Sequence, residues 1–181
     1  MSETENFIIR KAEAEDAKAI YDVMKKAEEA LENKTLYVCD DLEYVKMHVT
    51  SAQNDADANG FGVVACDESE KIVGIFIIRY PKKADDNLGK DIELSDEEQL
   101  HVAHMESAAV LPEYRGNHLQ EKMLTYAEDF IDKKQYRYLM ATVSPDNPAS
   151  YLTFEKCGYQ LIKTKEKYGG LSRRIYLKCI E

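Results

Sequence analysis

The sequence predicts a mixed α/β fold with one layered core, and three observations support this prediction. Its 181 residues are a length typical of one compact core, so we expect a single domain over residues 1–181. Its composition, 44% apolar and 32% charged, is that of an ordinary globular chain. Short β-branched runs alternate with segments of helical periodicity in the order β-α-α-β-β-β-α-β-α-β-β, which is a mixed α/β pattern.

Four segments have apolar residues at the helical spacing of three and four. These helices are predicted over residues 13–31, 40–52, 119–134 and 148–156. Asp40 or Asp41 is expected to cap the second helix, because a carboxylate accepts the free N–H bonds of a first turn. Gly158 follows the fourth helix, where glycine can adopt the left-handed C-cap conformation.

Seven segments are β-branched and apolar, as strands are. They are predicted over residues 7–11, 61–66, 71–80, 101–111, 137–143, 159–164 and 173–179. The third shows little alternation, which indicates a strand covered on both faces. The polar segment 81–98 begins with Pro81 and holds seven acidic and three basic residues, so it is predicted to be a long loop or partial lid.

Charge and composition exclude several function classes. The net charge is −10, and residues 1–100 carry −12 of it against +2 for the rest, so the acidic surface would repel nucleic acid. No apolar run approaches the ~18 residues of a membrane span, so no membrane partner is expected. The polar, acidic N-terminus is no targeting peptide. The four cysteines form no CxxC pair, which favours a reduced, cytoplasmic protein without zinc.

The segment Ala109–Gln120 is the one that indicates chemistry. A strand ends at Pro112, a short turn follows, and a helix begins within a few residues. Free backbone N–H groups and the helix dipole then converge on one point, which makes the turn an anion cradle. Gly116 permits a close backbone approach, and Arg115 can add a charge-assisted bond to a phosphate. An ordinary tight connection between strand and helix explains the same features equally well.

This segment resembles the acetyl-CoA pyrophosphate loop of the GNAT superfamily of N-acetyltransferases. The family pattern has Arg or Gln, two residues, Gly, one residue, then Gly or Ala. Arg115 matches its start, whereas His118 and Gln120 occupy the two small-residue positions. A second segment, Asn147–Tyr159, resembles the family's Asn-x-x-Ala…Tyr-Glu-Lys-x-Gly-Phe stretch.

The resemblance implies a GNAT-like three-layer fold. Its six- to seven-stranded mixed sheet is flanked by about four helices, and strands 4 and 5 splay apart to admit the pantetheine arm. Acetyl-CoA is the implied co-substrate, and no metal is expected. The coenzyme-binding residues that the resemblance implies are Ala109, Val110, Arg115, Gly116, Asn117, His118, Leu119, Gln120, Asn147 and Phe154.

Phe154 departs from the family, in which many members carry a tyrosine proposed to protonate the departing thiolate. Phenylalanine has no proton to give. Tyr151, one turn earlier, could supply it instead, as could water, or the thiolate could leave unprotonated. A packing or surface role for Tyr151 is the alternative.

An alkyl amine acceptor with a pKa of ~10.4 would have to lose a proton before attack. Barring a bulge, strand alternation puts Val102, His104, Glu106, Ala108 and Val110 on one face. Glu106, acting through water, is the first candidate base and falls where several family members place one. His104 is the second candidate. Structural roles within the sheet remain open for both residues.

The acceptor is expected to be a small-molecule or peptidyl amine, cationic like a polyamine, amino sugar or lysine side chain, because the surrounding segments are acidic. The turn Tyr168–Gly170, followed by Arg173 and Arg174, borders the acceptor groove by resemblance. It is predicted to be a hairpin turn with solvated charges, although its glycines could admit a substrate or a second subunit, as in a homodimer.

Three functions remain open at this point. The first is an N-acetyltransferase in which a primary amine attacks the thioester directly within a ternary complex. The alternative is a non-catalytic acyl-CoA-binding or sensor module. An ATP-binding protein ranks last, because neither GxxxxGK[ST] nor GxGxxG is present.

Overall fold

The computed structural model describes residues 5–37, 39–49 and 58–180, and the strands in these ranges form one sheet. The strands are β1 (Ile8–Lys11), β2 (Gly60–Cys66), β3 (Ile72–Arg79), β4 (Val102–Val110), β5 (Tyr138–Val143), β6 (Gln160–Lys167) and β7 (Leu171–Cys179). Their order across the sheet is β1-β2-β3-β4-β5-β7-β6. Strands β4 and β5 run parallel and the other neighbours antiparallel, which confirms the predicted mixed sheet.

Helices follow the predicted order with one addition, α3. They are α1 (Ala17–Glu29), α2 (Leu42–Val49), α3 (Asp96–Gln99), α4 (Leu119–Phe130) and α5 (Pro148–Lys156). In α1 the buried positions are Ala17, Ile20, Val23, Met24 and Ala27, which is the helical spacing expected for one face on the core. The end predicted for the second helix, residues 50–52, lies outside the described residues. None of the described helices is long and apolar enough to span a bilayer.

The β2–β3 hairpin lies next to β4, the central strand of the sheet, and is buried on both faces, as its apolar runs predict. Its turn is organised by Asp67, whose carboxylate accepts bonds from the backbone N–H groups of Ser69 at 2.9 Å and Lys71 at 3.0 Å. The second oxygen of Asp67 accepts a bond from the Tyr114 hydroxyl at 3.1 Å. The hairpin turn is thereby tied to the connection that leads into α4.

Strands β4 and β5 separate after a short paired stretch. They are in register from Val102 opposite Tyr138 to His104 opposite Met140. Strand β4 then continues to Val110, and β5 to Val143, without further pairing to one another. The splay implied by the resemblance is therefore present, and it opens a cleft beside the second half of β4.

A β-bulge interrupts β4 at Glu106. Met105 lies opposite Ile78, whereas Ser107 lies opposite Ile77, so Glu106 is the extra residue. The strict alternation predicted for this strand does not hold, because a bulge reverses the side on which later residues point. Glu106 and Ser107 consequently line the same cavity, described below.

The segment 81–98, predicted to be a long loop or partial lid, connects β3 to β4 through turns and short helical pieces. A 3₁₀ helix spans Leu88–Ile92, and α3 begins at Asp96. The buried Asn87 side chain holds the segment together, donating to the carbonyls of Lys82 at 2.8 Å and Gln99 at 3.0 Å. The two backbone carbonyls thereby have hydrogen-bond partners, as they would in a strand or helix. A polar segment can therefore pack against the rest of the fold.

Asp91 fastens this segment to the last hairpin. Its carboxylate is nearly inaccessible and accepts bonds from the ammonium groups of Lys165 and Lys167 on β6. Burial opposes ionisation, but the two lysine hydrogen bonds outweigh it, so the pKa of Asp91 lies below its ordinary value. The contact is present in the ionised state of Asp91 and is lost on acidification through that lowered pKa.

Asp91→Asn is expected to lower the free energy of unfolding by about 1–3 kcal/mol at pH 7, because it removes two hydrogen bonds to charged donors. Thermal unfolding followed by circular dichroism measures the loss. The gap to the wild type should begin to shrink below about pH 4, where Asp91 of the unfolded chain takes up a proton, and should close as the pH falls through the lowered pKa of the folded state. Asp85→Asn is the matched control. It also removes an ion pair, with Lys90 at 3.6 Å, but the Asp85 side chain is fully exposed, so this pair contributes little to stability. Equal unfolding temperatures for the wild type and Asp91→Asn at pH 7 would contradict this role.

Candidate functional site

The connection between β4 and α4 forms an open cradle of backbone donors. Gly116 has a φ of +86°, and nothing lies within 4 Å of the position that a Cβ would take. His118 is the N-cap of α4 in the left-handed conformation, with a φ of +57°, and its side chain caps no backbone N–H. The first-turn N–H groups of α4 lack partners within the helix and face the anion-attracting end of its dipole. The predicted anion cradle therefore has the required geometry.

A groove of about 600 Å³ extends from this cradle along the second half of β4 to the start of α5. Most of the residues expected to bind coenzyme line it. They are Ala109, Val110, Arg115, Gly116, His118, Leu119, Gln120 and Asn147. Asn117 and Phe154 are not among the lining residues.

Hydrogen bonds to Ser150 and Tyr114 order the segments that form the groove. Gln120 of α4 donates to the hydroxyl of Ser150 on α5 at 3.0 Å. Asn147 caps α5, because its side-chain oxygen accepts the Ser150 N–H at 3.4 Å. Asn117 donates to the carbonyl of Tyr114 at 2.9 Å and so stabilises the turn rather than facing the groove. These contacts give Asn117 a structural position that the motif alone does not reveal.

Phe154 and Tyr151 are not among the residues that line the groove. Phe154 is only 3% exposed and packs edge-to-face on Tyr159, with ring centroids 5.0 Å apart. The Tyr151 ring lies 4.2 Å beneath the guanidinium of Arg174. Each ring is held by packing, because α5 turns this side toward β7 and not toward the cleft. The packing alternative for Tyr151 is therefore the one the contacts favour.

A second, smaller cavity of about 180 Å³ adjoins the groove where β4 and β5 separate. Leu36 and Tyr37 line both cavities and so form the boundary between them. The remaining lining residues come from distant parts of the chain: Asp40, Glu106, Ser107, Thr142, Tyr168 and Arg173.

Glu106 is one of the acids that line the small cavity. Burial raises its pKa to about 7, even though the Arg79 guanidinium lies 3.7 Å from Oε1 and acts in the opposite direction. Its other oxygen, Oε2, is buried, as is the hydroxyl of the neighbouring Tyr44, which favours the ionised carboxylate and so also lowers the pKa of Glu106. A carboxyl with this pKa is divided between its two protonation states at neutral pH, as a general base requires.

Asp40 places a second carboxyl in the same cavity, and sequence reasoning missed it. The hydroxyl of Ser107 donates to Asp40 Oδ2 at 3.2 Å, and burial raises the pKa of Asp40. The cap of α2 is instead Asp41, whose Oδ1 accepts the Tyr44 N–H at 2.8 Å. The pair Asp40-Asp41 is the sequence feature that could have revealed this carboxyl. One helix N-terminus needs only one capping carboxylate, so the other is available for a different role.

His104 is corrected by the structure from a second candidate base to a buried structural residue. It is 5% exposed and lines neither cavity. Its Nε2 accepts the Leu88 N–H at 3.0 Å, so the lone pair that would take a proton is already engaged. Burial lowers the pKa of His104 to about 3, which leaves the ring neutral at physiological pH.

The last hairpin also differs from the prediction of solvated charges. Arg173 is 6% exposed and lines the small cavity. The Tyr168 hydroxyl shares a 2.8 Å hydrogen bond with the hydroxyl of Thr142 on β5. This bond joins the β6–β7 hairpin to β5. The hairpin turn, predicted to lie on the surface, thus forms one wall of the small cavity.

Sequence comparison matches residues 18–159 to the family described as the acetyltransferase (GNAT) family. This range covers well over half of the chain. The comparison with curated proteins gave no match.

Several solved structures are similar over almost the full length. The chain resembles an acetyltransferase of the GNAT family from Streptococcus pneumoniae, with a TM-score of 0.68, 19% identity, and coverage of 97% of this chain and 100% of that one. For the ribosomal-protein-alanine N-acetyltransferase of Brucella melitensis the TM-score is 0.70, the identity 19% and the coverage 96% and 99%. For yncA of Salmonella typhimurium, solved with its cofactor acetyl-CoA, these values are 0.70, 16%, 97% and 95%. At sequence identities of 16–19%, the similarity to these structures is evidence for the fold alone.

Proposed function

This chain belongs to the acetyltransferase (GNAT) family, and on that premise we propose that it moves the acetyl group of acetyl-CoA directly to a primary amine. One observation carries the proposal. The groove that begins at the anion cradle meets a small cavity containing a carboxyl with a pKa of about 7. Coenzyme and acceptor can therefore approach the boundary at Leu36 and Tyr37 from opposite sides.

The groove suits the coenzyme in both charge and shape. The N–H groups at the start of α4, with Arg115 beside them, offer a site for the diphosphate. The edge of β4 beyond His104 has no pairing to β5, so its backbone groups are free to bond the pantetheine amides as a neighbouring strand would. Among the relatives of known structure, yncA was solved with acetyl-CoA, which supports the choice of coenzyme.

The small cavity suits a cationic amine. Asp40 and Glu106 both face it, and an ammonium group would compensate the cost of their burial. Transfer of a proton from an amine of pKa ~10.4 to a carboxylate of pKa about 7 is uphill by about 4–5 kcal/mol. Glu106 lowers this cost relative to an unperturbed glutamate, and a water between the two groups can relay the proton.

The reaction then needs no covalent enzyme intermediate. One proton of the ammonium group first passes to Glu106, and the neutral nitrogen then attacks the thioester carbonyl carbon. The C–N bond forms, the C–S bond breaks, and the second nitrogen proton passes to water or to the departing thiolate. The thiolate leaves as such or takes a proton from water, because Phe154 has none to give and Tyr151 is stacked under Arg174. Holding both reactants in place can itself contribute roughly 7–11 kcal/mol at best.

Tyr151→Phe is expected to change kcat by less than about twofold, because the Tyr151 ring is stacked on Arg174 and lines neither cavity. Initial rates from pH 6 to 10 with saturating acetyl-CoA measure this. If kcat instead drops more than tenfold, and the wild type's decrease in rate at high pH disappears, the Tyr151 hydroxyl is the acid that protonates the thiolate.

A non-catalytic acyl-CoA-binding module is the second candidate, and Phe154 is the observation that favours it. The two functions are distinguished by chromatographic measurement of CoA formed from acetyl-CoA with a panel of polyamines, amino sugars, amino acids and lysine peptides. Chromatography is preferable to a thiol reagent because Cys39, Cys66, Cys157 and Cys179 are free thiols. A tertiary amine of the same charge is the control, since it cannot form a stable amide.

We expect CoA and the acetylated amine to appear in equal amounts with at least one primary amine, and none with its tertiary analogue. Calorimetric binding of acetyl-CoA with no amine-dependent CoA formation across the panel would instead establish the binding module. Absence of acetyl-CoA binding would contradict both candidates.

A further inference from the structure

Arg173 is a buried cation without an acidic partner among the residues the structure describes. It is 6% exposed on β7 and lines the small cavity. Its guanidinium donates to the carbonyls of Ser172 and Thr35, and its side chain lies 5.9 Å from the centre of the Tyr168 ring. No described Asp or Glu side chain lies within the 4.0 Å of an ion pair.

Three other arginines, Arg10, Arg79 and Arg174, each have an acidic partner. Arg10 has Asp16 at 2.7 Å, and Arg79 has Asp86 at 2.8 Å. The more exposed Arg174 still has a carboxylate, from Glu155, at 3.9 Å. A charge that is almost fully buried without a counter-ion is costly, and the cost is recovered when an anion binds. Two carbonyl bonds also leave donors of the guanidinium unused, since the group has five N–H bonds.

The small cavity is therefore bipolar. The carboxyls of Asp40 and Glu106 line it from the α2 and β4 side, and Arg173 lines it from β7. Its volume of about 180 Å³ lies below the ~300–1,000 Å³ of sites for drug-sized ligands, so a small molecule fits it best. Burial lowers the pKa of Arg173, in keeping with a cation that lacks a neighbouring negative charge.

We propose that the acceptor is an amino carboxylate, whose ammonium group faces Glu106 and Asp40 and whose carboxylate binds the guanidinium of Arg173. This inference rests on the proposed acetyltransferase function and names its substrate class. A planar carboxylate matches the guanidinium fork with two parallel hydrogen bonds. The amine is then held beside Glu106 and Asp40, in the cavity that shares Leu36 and Tyr37 with the coenzyme groove.

The test compares each acid with its own amide. The probes are the common L-amino acids, β-alanine and 4-aminobutyrate, each paired with its carboxamide, with CoA formation as the readout. Loss of the carboxylate charge lowers the pKa of the amine and by itself favours reaction of the amide. We nevertheless expect kcat/KM of the best acid to exceed that of its amide at least ~30-fold in the wild type, because the amide leaves the Arg173 charge unpaired.

Arg173→Gln should reduce that ratio to below about threefold, because the loss in kcat/KM falls mainly on the acid. Arg174→Gln, at the neighbouring position but outside both cavities, is the control and should keep the preference. If Arg173→Gln fails to fold by thermal unfolding, Arg173→Lys replaces it, and a ratio reduced at least threefold is then expected because the fork is lost.

The proposal is overturned if the wild type shows no preference for acids over amides, or if the Arg173 variants lower both substrates equally. If the proposed acetyltransferase function is wrong, the binding and rate measurements give a different combination of results. Calorimetric binding of an amino acid in the presence of CoA that depends on Arg173, without CoA formation from acetyl-CoA, would refute the acetyltransferase and keep the carboxylate site. CoA formation from amines regardless of a carboxylate would refute this inference and keep the acetyltransferase.

Discussion

Replacing Glu106 by glutamine is expected to reduce kcat about 100- to 1,000-fold, with little change in the affinity for acetyl-CoA. General bases contribute about 10²–10⁴-fold, and Glu106 is the carboxyl whose pKa, about 7, suits neutral pH. Glutamine keeps the shape and a hydrogen-bonding oxygen, so the cavity is preserved while the proton acceptor is lost. Steady-state rates with the best amine from pH 6 to 9 provide the measurement.

The pH dependence identifies Glu106 as the source of the effect. Because only the ionised carboxylate can accept a proton, kcat of the wild type should rise with an apparent pKa near 7, and that limb should be absent in Glu106→Gln. The exposed Glu97 on α3 supplies the matched control, Glu97→Gln, which should retain both rate and limb. Unchanged rates for Glu106→Gln across pH 6–9 would remove Glu106 as the base.

Stability should move in the opposite direction from activity. Burial raises the pKa of Glu106, so the folded state favours the protonated form. The stability that this proton brings is fully present below the unfolded pKa of ~4.3 and is lost as the pH rises through about 7. Glu106→Gln, which never ionises, should therefore unfold at a higher temperature than the wild type at pH 8–9. A simple folding defect would instead lower the unfolding temperature and the activity together.

His118→Asp is expected to weaken acetyl-CoA binding about 10- to 100-fold. An aspartate at the N-cap of α4 would accept bonds from the first-turn N–H groups that His118 leaves free. Its charge would also repel the diphosphate, at an energy of a few kcal/mol before screening by salt. Asp is tolerated in the left-handed conformation that His118 adopts, so α4 should remain intact.

Calorimetric titration with acetyl-CoA measures this effect, and His118→Asn is the matched control. Asparagine has the same shape, the same tolerance of a positive φ and the same ability to cap these N–H groups, but no charge, so its dissociation constant should lie between those of the wild type and His118→Asp. The difference between the two variants should shrink at high ionic strength, because exposed charges are screened. Equal affinities for the Asp and Asn variants at low salt would show that the diphosphate does not bind at this helix terminus.

Local sequence patterns predicted the elements well. The apolar spacing of α1 and α4 and the β-branched runs of β2 and β3 each reflect burial against one core, and the structure confirms them in the predicted order. The cradle was also predictable, because Pro112, Gly116 and the first turn of α4 are neighbours in the chain. The spacing of apolar residues within one helix or strand, and the order of residues within one turn, can each be recognised in a short stretch of sequence.

The acceptor cavity could not be predicted in the same way. Its walls come from segments far apart in the chain, represented by Asp40, Glu106, Thr142 and Arg173. No local pattern marks the bulge at Glu106, and a buried arginine has the same sequence signature as an exposed one. His104 was misjudged for a related reason, since its partner, the Leu88 N–H, lies in a segment whose polar composition conceals its packing.

A crystal structure of the protein with acetyl-CoA tests the assignment most directly. We expect the diphosphate oxygens within about 3.2 Å of the backbone N–H groups at the start of α4, and the thioester carbonyl beside β4 at the mouth of the cavity that holds Glu106. A coenzyme found elsewhere on the sheet, or a diphosphate held only by surface side chains with the first turn of α4 unbound, would contradict it.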